Sequence, residues 1–373
     1  MCGQEAVIDP SCLTSIKVLG EGAFAKVELA WYQPPGSASR VQVAVKRLKP
    51  ELYNAADLQL FAKEVALMRK LSHRNIVDMV GVVDGCDCNV VQEFMSGGTL
   101  KQLVTRQMLS NGGRVYSLQE GLDICLQMAR GLKYLHSCHP MVIHRDLKLE
   151  NVLLNVLDGT NALNGSRFEA KLADFGLSRR VEVKQQALAV RRAASATAPR
   201  PAQLSSGTEC EMDAMWSRKA QQGSFIGGAP PKSKVLLQGP ARDQAFNLTG
   251  RTGSLLYMAP EVFREQPYSE KADVFSFGVM MYEVMHRYIM LSAVSVNGTY
   301  EELEQYAARV AAGYRPPLHD TMPTSITSVI EDCWSADPLS RPAMEAVVSR
   351  LEAAAAAAEL EGLDKPGCSC TIC

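Results

Sequence analysis

Between two apolar, strand-like pieces the chain carries His144-Arg145-Asp146-Leu147-Lys148-Leu149-Glu150-Asn151. After the apolar run Lys171-Leu172-Ala173 it carries Asp174-Phe175-Gly176. The flanking stretches VIHRDL, NVLLN and AKLADF are β-rich, so a fold that accepts these segments must hold acids, cations and an amide at the ends of apolar strands. Charge in such surroundings is costly unless it is paired or bound to something. A solvated loop accounts for the charges but not for their spacing with the acid that follows. Asn151 and Asp174 together offer hard oxygen ligands suited to Mg²⁺. Asp146 can accept a hydroxyl proton.

The first ninety or so residues supply mainly short strands. LTSIKVLG, AKVELAWY and VQVAVKRL are β-rich and separated by turn-formers, and IVDMVGVV and CNVVQEF follow as two further strands. One helix interrupts them from about Ala56 to Lys70, with Phe61, Val65 and Met68 at apolar spacing. After Gly97-Gly98 the pattern turns helical. The stretch from Leu118 to His136 is amphipathic, and further helices are predicted over about 269–287, 300–312, 324–335 and 342–360. A small β-rich lobe (about 13–94) followed by a larger helical lobe (about 97–353) is an α+β arrangement.

Two features of the small lobe carry chemistry only in context. Gly20-Glu21-Gly22-Ala23-Phe24-Ala25-Lys26-Val27 lies between two strands, where glycines let backbone N–H groups approach phosphate oxygens. Alone, it reads more readily as a simple turn. A strand after it, rather than a helix, argues against a dinucleotide fold. Val43-Ala44-Val45-Lys46 puts a lysine in an apolar strand, and Glu64 on the helix is a partner within plausible reach. The alternative is a strand-end lysine in solvent and an exposed helix face.

Two insertions interrupt the pattern. Residues 157–166 read as an extended hairpin loop. Residues 181–246 are rich in Ala, Ser, Gln, Pro and Gly, with nine Lys/Arg against five Asp/Glu, and are expected to be disordered because they bury too little apolar area to offset ordering entropy. The whole chain balances 39 basic against 40 acidic residues, which argues against nucleic acid as a partner through bulk charge. No apolar run is long enough for a membrane span, and the start MCGQEAVIDP lacks the pattern of a secretory signal. The eleven cysteines therefore read as reduced and the chain as cytoplasmic.

The ordered series of Gly-rich loop, VAVK, helix Glu64, HRDLKLEN, DFG and Ala259-Pro260-Glu261 resembles the eukaryotic protein kinase family. Asp273-Val274-Phe275-Ser276-Phe277-Gly278, Cys333-Trp334 and Arg341-Pro342 continue the likeness, which runs from about Leu13 to Leu351. The resemblance implies a bilobal kinase domain over 13–353, using ATP and Mg²⁺ to phosphorylate protein substrates. By that resemblance, Leu19 to Val27 would cover the ATP phosphates. Lys46 would contact them and Glu64 would hold Lys46. Asp146 would be the catalytic base, Lys148 would steady the γ-phosphate, and Asn151 and Asp174 would hold metal. Gln92 would be the gatekeeper, the backbone of Glu93 and Met95 would bond adenine, and Val27, Ala44 and Leu153 would enclose the base. Met68, Met79, His144 and Phe175 match the family's apolar stack, Glu261 and Arg341 its buried ion pair, and Asp273 the anchor beneath the HRD loop. The alternative function is a pseudokinase scaffold that keeps the fold without catalysis.

Lys148 and Ser254 resemble the serine/threonine kinases, and GTLKQL with TGSLLYMAPEV resembles their tyrosine-kinase-like branch. Ala25 stands where that family has a third glycine, and 87 residues separate Asp174 from Glu261, well beyond the usual activation segment. Thr249 or Thr252 is expected to be a regulatory phosphorylation site, served by an upstream activating kinase, because a phosphate would pair with Arg145. Ser195 and Ser224 are weaker candidates. The tail 362–373 reads as flexible. Cys370-Thr371-Ile372-Cys373 resembles a prenylation signal, with Cys368 placed for a second lipid, although Thr371 is not aliphatic and Cys is an unusual last residue. A membrane partner is expected only if the tail is lipidated. The pair Cys370 and Cys373 is also half of a CxxC metal or redox site.

Overall fold

A computed structural model describes residues 7–22, 25–49, 55–83, 89–110, 113–157, 167–175, 179–181, 254–294 and 299–357. The insertions expected within 157–166 and 181–246, the tail 362–373, Thr249, Thr252, Ala23 and Phe24 fall wholly or almost wholly outside them.

The N-terminal part is a six-stranded sheet built from β1 (Val7–Ile8), β2 (Leu13–Glu21), β3 (Ala25–Tyr32), β4 (Val41–Leu48), β5 (Met79–Val83) and β6 (Asn89–Glu93), in the order β1-β5-β6-β4-β3-β2. All neighbours are antiparallel except β1, which runs parallel to β5. A two-residue strand has no periodicity to read, so β1 is invisible in the sequence. Its Ile8 nonetheless joins Val43, Val45 and Val91 in a buried cluster.

Helix α1 (Ala55–Met68) lays Phe61 and Val65 on Leu48, Val82 and Val90 of the sheet. It ends two residues before the expected Lys70. There the ladder tightens, and the Lys70 N–H turns back to the Leu67 carbonyl three residues earlier.

The C-terminal part is helical around two small sheets, β10-β9-β7 and β11-β8, formed by β7 (Gly98–Thr99), β8 (Met141–Ile143), β9 (Val152–Val156), β10 (Phe168–Leu172) and β11 (Arg179–Val181). Helices α2 (Leu100–Met108) and α3 (Leu118–Ser137) each begin with a capping box, Thr99 with Gln102 and Ser117 with Glu120. After the short α4 (Pro260–Phe263), α5 (Lys271–His286) is apolar on nearly every side and buried along almost its whole length, the signature of a central core helix. It packs so tightly that a Cβ at Gly278 would lie 2.9 Å from the Cβ of Cys333. The remaining helices are α6 (Leu291–Val294), α7 (Tyr300–Ala311), α8 (Thr324–Cys333) and α9 (Met344–Ala356). Helix α9 starts two residues later than its apolar pattern suggests, because Ala343 is still extended (φ −74°, ψ 151°) after Pro342. Among the described residues no helix is long and apolar enough to cross a membrane.

One buried ion pair joins the start of α4 to the loop before α9. Arg341 donates Nη1 to Glu261 Oε1 at 2.7 Å and Nη2 to Oε2 at 2.8 Å, with 1% and 4% of the two residues exposed. The guanidinium also donates to the carbonyls of Ser335 and Lys271 and lies 5.0 Å above the Phe275 ring. A charge so fully compensated is tolerated in the core, but removing its partner strands it. Arg341→Met is therefore expected to cost about 3–5 kcal/mol of folding stability, measured by denaturant unfolding. A loss under about 1 kcal/mol would show that Glu261 finds other donors.

Candidate active site

The site lies where the N-terminal sheet faces the loops between β8 and β9 and after β10. Lys46 sits inside β4, paired in register with Val27 on β3 and Val90 on β6. Its ammonium lies 2.7 Å from Glu64 Oε1 on α1 and 3.2 Å from Asp174 Oδ1 beyond β10. Burial would drive the proton off this lysine, but the charges of Asp174 and Glu64 outweigh burial and hold its pKa above the ordinary value. Burial in turn pushes the Glu64 carboxyl up, while the Lys46 ammonium holds Asp174 down. Lys46 is therefore a permanent cation joining helix, sheet and the acid after β10.

A second network surrounds Asp146. Oδ1 accepts the Ser254 hydroxyl at 2.6 Å, and Oδ2 accepts Lys148 Nζ at 2.8 Å and Asn151 Nδ2 at 3.0 Å. Asn151 also donates to the Asp146 carbonyl at 2.8 Å. Both bonds use the NH₂ end of the amide, so its carbonyl oxygen is the end that can face a metal. Its backbone carbonyl accepts the N–H of Ala173 at 2.8 Å, tying Asn151 to the residue before Asp174. A half-exposed carboxylate and an amide oxygen suit a hard divalent cation that keeps its other ligands on phosphate and water. Among the described residues no cluster of three His, Cys, Asp or Glu forms a self-sufficient metal cage.

Arg145 and Asp174 both adopt left-handed backbone conformations, with φ of 72° and 63°. Each costs roughly 1–2 kcal/mol for a residue with a Cβ. Asp273, 1% exposed on α5, stabilises the first by accepting the N–H groups of His144 (2.8 Å) and Arg145 (2.9 Å). Its Oδ2 also takes a hydrogen bond from His136 Nε2 at 3.0 Å, and against the upward push of burial these bonds keep the carboxyl below its usual range. The His144 ring donates Nε2–H to the Ala173 carbonyl at 3.1 Å and lies 5.0 Å from the Phe175 ring, so the two loops touch through side chains.

The positions expected from sequence to face a nucleotide lie on β2, β3, β4, β6 and β9 and in the segment just after β6. Ala44 is cross-strand to both Leu29 and Gln92. Gln92 donates to Met68 Sδ on α1 at 3.5 Å and pairs with Met79 on β5, which joins two members of the expected apolar stack to the position expected as gatekeeper. Met95 is buried, and Leu153 on β9 lies opposite Thr99 and Lys171. Leu19 is 42% exposed on β2. Gly20 has nothing within 4 Å of a notional Cβ, and Gly22 meets only the Ala25 carbonyl at 3.7 Å. Among the described residues neither glycine is required by packing, which leaves room for a phosphate at the backbone. Of the flanking charges, Glu21 pairs with Lys49 and Lys26 with Glu28.

Three partnerships have no clear signature in the sequence: His136 beneath Asp273, Lys171 with Glu93, and Tyr257 with Glu283. The only local signal is a polar residue inside an apolar run, as at Lys171 and Glu283. The partners are 26 to 137 residues away.

A family model described as protein tyrosine and serine/threonine kinase matches residues 13–201 and 240–351, so this chain belongs to the protein kinase family. Serine/threonine-protein kinase VIK of Arabidopsis thaliana is 29% identical over 350 residues, 92% of this chain and 61% of that protein. Dual specificity protein kinase shkC of Dictyostelium discoideum is 28% identical over 96% of this chain and 55% of its own length. Serine/threonine-protein kinase TNNI3K of Rattus norvegicus is 29% identical over 90% of this chain and 30% of its own. The chain thus spans between about a third and three fifths of these three relatives.

Glu283 supplies a pH-sensitive element in the helical core. It is fully buried on α5, accepts the Tyr257 hydroxyl (2.7 Å) and the Met290 N–H (2.8 Å), and burial pushes its carboxyl from 4.5 up to about 7. The folded chain holds this proton more tightly than the unfolded chain does. The stability it contributes is therefore complete below about pH 4.5 and is lost as pH rises through about 7. Relative to Glu283→Gln, the wild-type melting temperature should fall by roughly 3–8 °C between pH 5 and pH 8. Parallel melting curves for the two proteins across that range would contradict it.

Proposed function

We propose that this chain is an active serine/threonine protein kinase that transfers the γ-phosphoryl group of ATP, with Mg²⁺, to hydroxyls of protein substrates. The observation that carries the reading is the convergence of Ser254, Lys148 and Asn151 on one carboxylate, Asp146. Beside it, Lys46 is held between Glu64 and Asp174. The scaffold alternative has no such support: the lysines, carboxylates, amide and hydroxyl on which this reading relies all have partners among the described residues.

In this reading Asp146 orients the acceptor hydroxyl and takes its proton, one carboxylate oxygen replacing the Ser254 or Lys148 bond as substrate enters. Lys148 supplies positive charge beside the same carboxylate, where negative charge develops on the transferring group. Lys46, fixed by Glu64, meets the α/β-phosphates, and the backbone from Leu19 to Val27 covers them. Bound Mg²⁺ would neutralise phosphate charge, held by Asp174 and the Asn151 carbonyl oxygen. The adenine edge goes to the backbone of Glu93 and Met95, between Val27, Ala44 and Leu153. Most of the rate enhancement is then positioning and electrostatics.

Preference for Ser and Thr over Tyr rests on Lys148 and Ser254 acting together at Asp146. Regulation by an upstream kinase at Thr249 or Thr252 rests on Arg145, an exposed cation beside the base whose guanidinium lies 5.5 Å from the Tyr268 ring. A cytosolic site of action fits Cys12, Cys125, Cys138 and Cys333, which among the described residues form no disulfide.

Asp146→Asn, Lys46→Met and Asp174→Asn are each expected to lower turnover by about 10²-fold or more; the two Asn variants should leave the melting temperature within a few degrees, whereas Lys46→Met, which strands the buried Glu64, should fold with a lower one. Labelled ATP, Mg²⁺ and generic protein substrates measure this, and phosphoamino-acid analysis should return phosphoserine and phosphothreonine. Full activity in Asp146→Asn would overturn the catalytic assignment, and phosphotyrosine as the main product would overturn the substrate class.

A further inference from the structure

Lys171 is a lysine in an unusual place. Its side chain is 7% exposed, on β10, three residues before Asp174. Its ammonium bonds both oxygens of Glu93, at 2.7 and 2.9 Å, and Asp78 Oδ2 lies 3.7 Å away. Glu93 is the last residue of β6, in the N-terminal sheet, so the pair crosses from that sheet to the C-terminal one. The same Glu93 Oε1 accepts the Asp78 N–H at 2.7 Å, and the Glu93 N–H donates to the Asp78 carbonyl at 3.1 Å. Glu93 is therefore fixed through both its side chain and its backbone.

The segment that carries Asp78 is itself welded to β10. The Leu172 N–H donates to the Asn75 carbonyl at 2.9 Å, the Val77 N–H to the Leu172 carbonyl at 3.0 Å, and Asn75 Nδ2 to the Ala170 carbonyl at 2.9 Å. Residues 75–78 and β10 thus form one unit, and Lys171 is the charge that fastens the end of β6 to it. That end is where the connection between the two sheets begins. A backbone hydrogen-bonding edge there is useful only if its position relative to Asp174 is fixed, because a bound nucleotide must meet both at once.

We infer that Lys171 is a positioning residue for the nucleotide: its ion pair with Glu93 sets the distance between the adenine-binding backbone and Asp174, and so sets nucleotide affinity. This rests on the reading that the backbone of Glu93 and Met95 receives adenine. Lys171 itself touches no substrate. The pair is mostly buried, so its geometry is firm and little weakened by salt. Replacing the lysine by a neutral chain leaves the Glu93 carboxylate part-buried with only the Asp78 N–H, and the end of β6 keeps its link to β10 only indirectly, through the Asp78 backbone, so its position is less tightly set.

The test is calorimetric binding of Mg²⁺-ADP to the full chain, with kcat and KM for ATP measured in parallel. Lys171→Met should raise the ADP Kd and the ATP KM about tenfold and leave kcat within about twofold. Lys171→Arg, which keeps a bidentate cation, should restore both to within about threefold. A Kd for Lys171→Met within about twofold of wild type, whatever its melting temperature, would overturn the inference, as would a tighter Kd or a raised kcat. Should Lys171→Met fail to fold, Glu93→Gln carries the test. It keeps the shape and removes the charge, and is expected to weaken ADP about threefold or more. Unchanged affinity there overturns the inference as well. Wild-type protein with no ADP affinity would instead sink the kinase reading on which it rests.

Discussion

Asp273 accepts three N–H donors inside the core, and the loop that carries Asp146 takes its shape from them. Two of the donors are consecutive backbone amides, His144 and Arg145. Holding both on one carboxylate turns the chain so sharply that Arg145 enters the left-handed region. Asp146 follows directly, and its carboxylate emerges where Ser254, Lys148 and Asn151 can reach it. A buried carboxylate is costly unless its lone pairs are filled, and here they are filled by the loop it shapes and by His136 of α3. The helix that carries it is almost wholly buried, so the anchor cannot drift.

Charge compensation extends the same logic across the molecule. Lys46 joins β4, α1 and the residue after β10 in one triad, while Lys171 joins β6 to β10 a short distance along the same strand. Arg341 and Glu261 tie the segment after Tyr257 to the loop before α9. Each cation is buried or nearly so and meets its carboxylate at about hydrogen-bond distance, the condition under which such pairs are geometrically firm. The apolar core supplies the bulk of the stability, and these pairs fix how the elements that carry chemistry stand relative to one another.

Much of the site is legible in the order of residues alone. Lys46 in an apolar strand, the acid and amide of 146–151 and the acid at 174 are each improbable where they stand, and a buried charge advertises its need for a partner. The amphipathic patterns of α3, α7 and α8 locate those helices to within two residues. Element ends are less legible. The tightening at Lys70 and the extended backbone at Ala343 are decided by local hydrogen bonding and φ/ψ, which apolar spacing does not encode. The strand Val7–Ile8 is invisible, because only pairing with Val82 and Val83 makes it a strand.

What the sequence determined by itself was therefore the set of chemical groups, their order and the class of fold that presents them. Helical and strand periodicities are local, and the resemblance to a family rests on motifs that are contiguous in the chain. What only the tertiary structure decided was which groups meet. Nothing local pairs Lys171 with Glu93, 78 residues away, or puts His136 beneath an aspartate 137 residues on. Nor does anything local bury Glu283 against Tyr257 deeply enough to bring its carboxyl to about 7. Those outcomes depend on how deeply helices and sheets bury particular side chains against one another. Burial changes the energy of a charge by more than any neighbour in sequence does.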